Sequence, residues 1–290
     1  MNSKHINFSK FSSIKIGNTL EVSILEEPSD FNEEFYLLGA CNNTLIGAEP
    51  PPLMILSKKY DYIKIEDNLL KIGAATPSGK IASFCKKNDI ANFEFVSHLP
   101  GTLGGLVKMN AGLKEYEIFN HLISLYTVHE AKLSAKQKEE IAFGYRYTNI
   151  QTPILEASFY LACGFDKEKV ELFKKMRANQ PHMPSAGSCF KNPPNDYAGR
   201  LIEAVGLKGK RVGAMEFSTV HANFLVNSDN GTFEDAIFLI QEAQKRVYEQ
   251  FGIWLENEII VLDKRFMGEN SPLLSPHAKA NGNIISGQKP

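Results

Sequence analysis

Hydrophobic and polar positions divide the chain into a first half spaced for strands and a second half spaced for helices. Phe35-Tyr36-Leu37-Leu38 is a compact apolar run ending at Gly39, and Leu53-Met54-Ile55-Leu56 is another. Residues 62–66 and 69–73 alternate around Asp67-Asn68, a pair suited to a tight hairpin turn. Ser78 is placed to cap a helix running to Lys87, with Ile81, Phe84 and Cys85 on its inner face. Strands are expected again over 121–128 and 158–163. Beyond Gly164 the spacing lengthens, and helices are predicted over 166–179, 197–205 and 232–251. The last is the strongest: Phe233, Ile237, Ile240, Val247 and Phe251 share one stripe, Thr232 and Asp235 form its start, and Gly252 ends it. Residues 253–261 alternate as a strand that sends Glu256 and Glu258 to one face. The pattern gives domains at 1–164 and 165–265, and a Gly-, Asn-, Ser- and Pro-rich stretch, 266–290, expected to be a disordered tail.

Bulk properties narrow the function classes. With 290 residues the chain can bury a large core in two domains or lobes. Lys and Arg number 32 against 33 Asp and Glu, so the footprint of a nucleic-acid binder is missing. Lys208, Lys210 and Arg211 read as a solvated turn rather than a phosphate clamp. Four cysteines (Cys41, Cys85, Cys163, Cys189) are widely spaced without a CxxC pair, which argues against a metal site and fits a reducing compartment. Residues 1–11 lack the apolar core of a signal peptide, and no apolar run is long enough for a bilayer. A cytoplasmic protein without membrane, nucleic-acid or obligate protein partners is expected.

The densest chemistry lies in Gly187-Ser188-Cys189-Phe190-Lys191-Asn192-Pro193, where a hydroxyl, an ammonium and a carboxamide fall within five positions. Small residues ahead of Ser188 allow a ligand to approach the backbone closely. A substrate site with Ser188 as proton donor or nucleophile is one reading; a polar turn capping a helix is the other. Two glycine-rich turns precede it. One holds Gly39, Ala40, Cys41, Asn42 and Asn43; the other holds Pro100, Gly101, Thr102, Gly104 and Gly105, followed by Asn110 and Gly112. Converging backbone N–H groups in such turns can hold a pyrophosphate without lysine. Neither turn is a GxGxxG fingerprint or a P-loop, and each alone is explained by strand connection. Together they suggest a flavin.

The ordered series of motifs resembles the UDP-N-acetylenolpyruvoylglucosamine reductase family, FAD enzymes of peptidoglycan precursor synthesis. The resemblance covers about residues 15–262. It rests on Asn18-Thr19, the two turns, Phe143-Gly144-Tyr145-Arg146, Ser185-Ala186-Gly187-Ser188, Phe190-Lys191-Asn192-Pro193, Ala198-Gly199-Arg200-Leu201-Ile202-Glu203, His221-Ala222-Asn223-Phe224 and Leu255-Glu256-Asn257-Glu258. Ala40, Cys41 and Asn42 depart from a first turn that usually reads Gly-Gly-Gly-Ser-Asn, and His98 stands where glycine is usual. The short stretch from Arg146 to Ser188 is similar to the compact form of the family, which lacks an extra substrate loop.

The resemblance implies an α+β, vanillyl-alcohol oxidase-like FAD-binding fold of two subdomains, followed by a C-terminal α+β substrate domain. It implies non-covalent FAD, NADPH as reductant and UDP-N-acetylglucosamine enolpyruvate as substrate. By the same carry-over Arg146, Ser188 and Glu258 are the catalytic group, and Arg177, Lys191 and Asn192 contact substrate. Read locally, Arg146 fits a surface arginine, Glu256 competes with Glu258, His221 fits a structural hydrogen-bonder and Cys189 fits packing. Two other functions stay open: a flavin oxidase or dehydrogenase of this fold acting on another substrate, and a non-catalytic sugar-nucleotide or flavin binder.

Overall fold

A computed structural model of the chain describes residues 1–268 and 271–274. Where the sequence pattern is local, the elements fall as expected. Strands Ile63–Glu66 and Leu69–Gly73 form the hairpin, with Asp67 and Asn68 both at positive φ, the backbone that its two-residue turn requires. The helix Phe233–Phe251 starts with the Thr232 hydroxyl accepting from the Asp235 amide and stops at left-handed Gly252.

The first lobe contains two sheets. Ser3–Asn7, Thr19–Leu25, Leu53–Leu56 and Tyr36–Leu38 form a four-stranded sheet in that order, antiparallel at its first pair and parallel thereafter. A five-stranded antiparallel sheet is ordered Lys132–Gln137, Leu122–His129, Ile154–Tyr160, Leu69–Gly73, Ile63–Glu66. Its core residues, among them Leu70, Ile72, Leu125, Ala157 and Phe159, pack with Ile81 and Cys85 of the helix Ser78–Lys87. The other lobe carries a four-stranded antiparallel sheet, Ser185–Ser188, Phe224–Asn227, Met215–Phe217 and Arg211–Val212. Phe233–Phe251 and Ala198–Ala204 share a core with it. The architecture is α+β, and strands are not confined to the first half.

Five expectations need correction. Ser78 does not cap its helix: Pro77 holds that position, and Ser78 is a buried first helical residue. The strand expected over 158–163 runs four residues earlier, because its register is set by Leu69–Gly73 and Leu122–His129. Residues 253–259 do not join a ladder as a regular strand; only Ile260–Leu262 does, in parallel with Thr44–Ile46. The helix Lys167–Met176 lies beyond the division expected near Gly164, yet its one fully buried residue, Phe173, packs on the first lobe against Phe95 and Tyr116. The tail begins later than residue 266. Lys264–Phe266 is a helical turn, and Leu273 packs on the core beneath Phe233–Phe251. The remainder of that tail, 269–270 and 275–290, lies outside the described residues.

The return of the chain to Thr44–Ile46 positions the site. It carries Glu258, two residues ahead of the strand, back to the first glycine turn.

Candidate functional site

The two glycine turns face each other. The first leaves the strand Tyr36–Leu38 and is tied down by Cys41, whose carbonyl accepts from the Ser13 amide, and by Asn42, whose Nδ2 donates to the Ser13 hydroxyl. In the second, Leu103 and Gly104 donate their amides to Thr76 and Ala74. A Cβ on Gly39 would lie 3.1 Å from the Thr102 hydroxyl, and one on Gly101 would lie 3.7 Å from Asn42 Oδ1. Gly101 has φ +125°, which side-chain-bearing residues rarely adopt. Among the described residues the amides of Ala40, Cys41, Asn42, Asn43 and Gly101 have no acceptor. Asn42 Oδ1 is buried without a donor among the described residues. Free amides converging across two close backbones, beside an orphaned acceptor, fit a ligand that brings phosphate oxygens and a hydroxyl or N–H.

Cys41, which departs from the usual glycine, is accommodated at φ 51°. That backbone costs roughly 1 kcal/mol for a residue with a Cβ. Its side chain turns into the core with Leu38 and Ile46, where burial pushes the thiol up to about 12. The backbone of the turn is left to the ligand.

Arg146 lies in the two-residue loop between Phe143–Gly144 and Tyr147–Thr148, at φ 54°. Its Nε donates to Glu258 Oε1 at 3.1 Å and its Nη2 to the Gly112 carbonyl at 2.9 Å, while its guanidinium lies 5.2 Å from the centre of the Tyr145 ring. Gly112 must be glycine, since a Cβ there would meet the Tyr116 carbonyl at 2.3 Å. Asn110 braces the same corner. It is fully buried, donates to Glu117 Oε2 and the Gly144 carbonyl, and accepts from the Phe119 amide. Its side chain is committed inside the protein, so it supports the site rather than lining it.

Glu258 is more enclosed than Arg146, with side-chain exposures of 13% and 19% respectively. Burial raises its carboxyl above the ordinary glutamate range, although Arg146 and, more weakly, Lys191 pull the other way. Arg177, at the end of the helix Lys167–Met176, is half-buried and has no carboxylate partner among the described residues. Burial lowers its affinity for a proton, and the nearby charge of Arg146 lowers it further. Two neighbouring guanidiniums, of which only Arg146 is paired with a carboxylate, leave a site that favours an anion.

Ser188 ends the strand Ser185–Ser188 opposite Phe224. Its hydroxyl has no partner among the described residues. The chain beyond it is fixed by Asn223, which accepts from the Phe190 amide at 3.0 Å and donates to the Phe190 carbonyl at 2.8 Å. The Cys189 carbonyl then accepts from the Glu258 amide at 2.9 Å, and Asn43 Nδ2 donates to the Glu258 carbonyl at 2.8 Å. Ser188, Glu258 and the first turn are therefore linked through the Cys189–Glu258 main-chain bond and the Asn43 side chain.

A model of the C-terminal domain of UDP-N-acetylenolpyruvoylglucosamine reductase matches residues 179–262. A protein of that name from Campylobacter jejuni strain RM1221 is 48% identical over 262 residues, 89% of this chain and 99% of its own length. One from Helicobacter pylori strain J99 is 44% identical over 89% of this chain and 98% of its own length. The chain belongs to the UDP-N-acetylenolpyruvoylglucosamine reductase family. The fold agrees: the crystal structure of the reductase from Thermus caldophilus superposes with a TM-score of 0.80 at 28% identity, over 90% of this chain and 99% of that one. The α+β architecture expected from the resemblance is the reductase fold.

Within this reductase scaffold the remaining candidates separate. Glu256 is two-thirds exposed and pairs with Lys191 at 2.6 Å, so Glu258 alone of the two glutamates reaches Arg146. Asn192 Oδ1 accepts from the Ala198 amide, leaving its NH2 group for a ligand. His98 Nε2 lies 3.1 Å from the Val170 carbonyl, directed at the helix Lys167–Met176. His221 accepts from the Asn223 amide and packs edge-on against Phe224. Cys189 is buried in the core, where burial holds its thiol protonated. The clamp made by Asn223 and the stacking of Tyr145 on Arg146 had no role assigned from sequence. A polar residue inside the apolar run 222–226 was the signal for the first.

No helix among the described residues is long and apolar enough to cross a membrane. No cluster of metal-binding side chains occurs among them either.

The raised Glu258 carboxyl has a signed consequence. The folded chain keeps this proton at pH values where the unfolded chain, near the ordinary 4.5, has lost it. Its contribution to stability is present below that value and is lost as pH rises through the folded one. Glu258→Gln should gain stability relative to the parent as pH rises. Urea midpoints of both proteins between about pH 4 and about pH 8 measure this. Parallel curves would mean that Arg146 fully compensates the burial.

Proposed function

We propose that this chain reduces UDP-N-acetylglucosamine enolpyruvate to UDP-N-acetylmuramate in the cytoplasm, with FAD held non-covalently between the two glycine turns and NADPH as reductant. The observation that carries this reading is the convergence of Arg146, Glu258 and the Ser188 strand on a pair of turns in which the amides of residues 40–43 and of Gly101 lack partners among the described residues. Gly39 to Asn43 and Pro100 to Gly105 would hold the dinucleotide, with Gly112 and Asn110 shaping the corner behind Arg146. When bound and reduced by NADPH, FAD would supply hydride to the methylene carbon of the enolpyruvyl group.

The chain's own residues must manage the charge that arrives with that hydride. Negative charge builds on the substrate's α-carbon and spreads into its carboxylate. Arg146 lies where a guanidinium would stabilise that charge, and Arg177 adds a second positive centre for the carboxylate or diphosphate. Glu258 keeps Arg146 in place, and its burial together with a neighbouring substrate carboxylate favours its neutral form. Ser188 gives its hydroxyl proton to the α-carbon, forming the C–H bond, and is reprotonated from solvent. Hydride and proton together convert the double bond to a lactyl ether. Lys191 and Asn192 hold the sugar nucleotide, Lys191 by exchanging its Glu256 contact for the ligand.

Purified protein should be yellow, and its NADPH oxidation should depend on the enolpyruvyl UDP-sugar. Denaturation followed by filtration should release all the flavin from the chain. Colourless protein indifferent to added FAD would sink the reading. Flavin that stays on the denatured chain would overturn the non-covalent part, and rapid turnover of an unrelated alcohol in place of the UDP-sugar would favour an oxidase.

A further inference from the structure

We infer that Gln244 is a positioning residue for Glu258, acting through the segment 255–257; this rests on the role proposed above for Glu258. Gln244 belongs to the helix Phe233–Phe251 and is fully buried, flanked on the same face by Ile237, Ile240, Ala243 and Val247. An amide in that setting is costly unless its hydrogen bonds are made. Gln244 Nε2 lies 3.0 Å from the Leu255 carbonyl, 3.2 Å from Asn257 Oδ1 and 3.2 Å from the Leu273 carbonyl. Two of the three are main-chain carbonyls that can only accept, so the NH2 group must face them and the amide cannot be flipped. The cost is visible at the other end: Gln244 Oε1 is buried with no partner among the described residues.

The segment that Gln244 grips is the one that has no regular ladder to hold it. A single antiparallel bridge joins Asn257 to Phe190, and the side chains of 255–258 alternate in their contacts. Leu255 is buried in the core and Asn257 meets Gln244, while Glu256 pairs with Lys191 and Glu258 with Arg146. The opposite edge is fixed by the Lys191 amide on the Glu256 carbonyl and by the Glu258 amide on the Cys189 carbonyl. Gln244 supplies the hold on the odd-numbered side. Without it, Leu255 and Asn257 can slide along the helix, and a small rotation there moves the Glu258 carboxylate away from Arg146 Nε.

The test uses the flavin-loaded full chain and measures the two half-reactions separately. Gln244→Leu preserves size and removes the donor. Reduction by NADPH should be unchanged, and reoxidation by the enolpyruvyl UDP-sugar should slow about tenfold, as a displacement of a fraction of an ångström near the chemistry would cause. Glu258→Gln should slow the same step on its own account. Combined with Gln244→Leu it should lose nothing further, because a residue acting through Glu258 has no effect once Glu258 is gone. A residue that only stabilises the core would lower Tm without this half-reaction split, or would multiply with Glu258→Gln; either result overturns the inference. Asn257→Ala removes the acceptor from the other side and should reproduce the same pattern, so an insoluble Gln244→Leu still leaves the question decidable. If Glu258→Gln alone reoxidises at the parental rate, the role of Glu258 itself fails, and the Gln244 inference fails with it.

Discussion

Ser188→Ala should reduce FAD with NADPH at close to the parental rate and reoxidise with the enolpyruvyl substrate about a hundredfold more slowly, or worse. The two halves separate because hydride transfer from NADPH requires no proton from this hydroxyl, whereas the substrate's α-carbon must gain one. An alcohol is a weak acid, but the carbanion that forms next to a carboxylate is a strong base, so a fixed hydroxyl suffices. Its fixing comes from neighbours that the substitution leaves alone: the Asn223 clamp on Phe190 and the Cys189 carbonyl bonded to the Glu258 amide. The hydroxyl itself has no partner among the described residues. Folding stability should therefore change by about 0.5 kcal/mol or less. Stopped-flow absorbance of the flavin reads both halves. Reoxidation at the parental rate would remove Ser188 as the acid.

Arg146→Lys should also spare reduction and impair reoxidation, by about a hundredfold, although the charge is kept. Arg146 reaches two acceptors from one planar group, Glu258 Oε1 with Nε and the Gly112 carbonyl with Nη2. A lysine ammonium is a single point at the end of a flexible stem and cannot satisfy both while facing a substrate carboxylate. Glu258 would lose its geometry, and its buried carboxyl would be held still higher. The limb of the reoxidation profile on which neutral Glu258 loses its proton should consequently move to higher pH in Arg146→Lys. An unchanged profile with an unchanged rate would mean that charge alone matters at this position, and that the fork has no role.

Local backbone chemistry made much of the molecule legible. Asp67-Asn68 between alternating runs specified the hairpin, and Thr232 with Gly252 marked both ends of the long helix, because caps and turns depend on a few adjacent residues. Motif order also carried the family, and with it the residues now brought together at Arg146, Ser188 and Glu258. Elements that depend on distant partners were less visible. The strand Ile154–Tyr160 takes its register from neighbours some eighty residues earlier in the chain, and the strands Ser3–Asn7 and Thr19–Leu25 are defined by pairing rather than by strong alternation.

The sequence by itself singled out the candidate residues for the chemistry, since side-chain type, spacing and turn propensity are written locally. It also left Glu256 and Glu258 as equivalents on one face of an expected strand. Only the tertiary structure decided between them. Ile260–Leu262 pairs with Thr44–Ile46, residues 189–191 bond the other edge, and Gln244 reaches in from a helix, so one glutamate is buried against Arg146 while the other stays in solvent with Lys191. These contacts join parts of the chain separated by up to about two hundred residues, and burial, which sets the protonation of Glu258, exists only once they have formed.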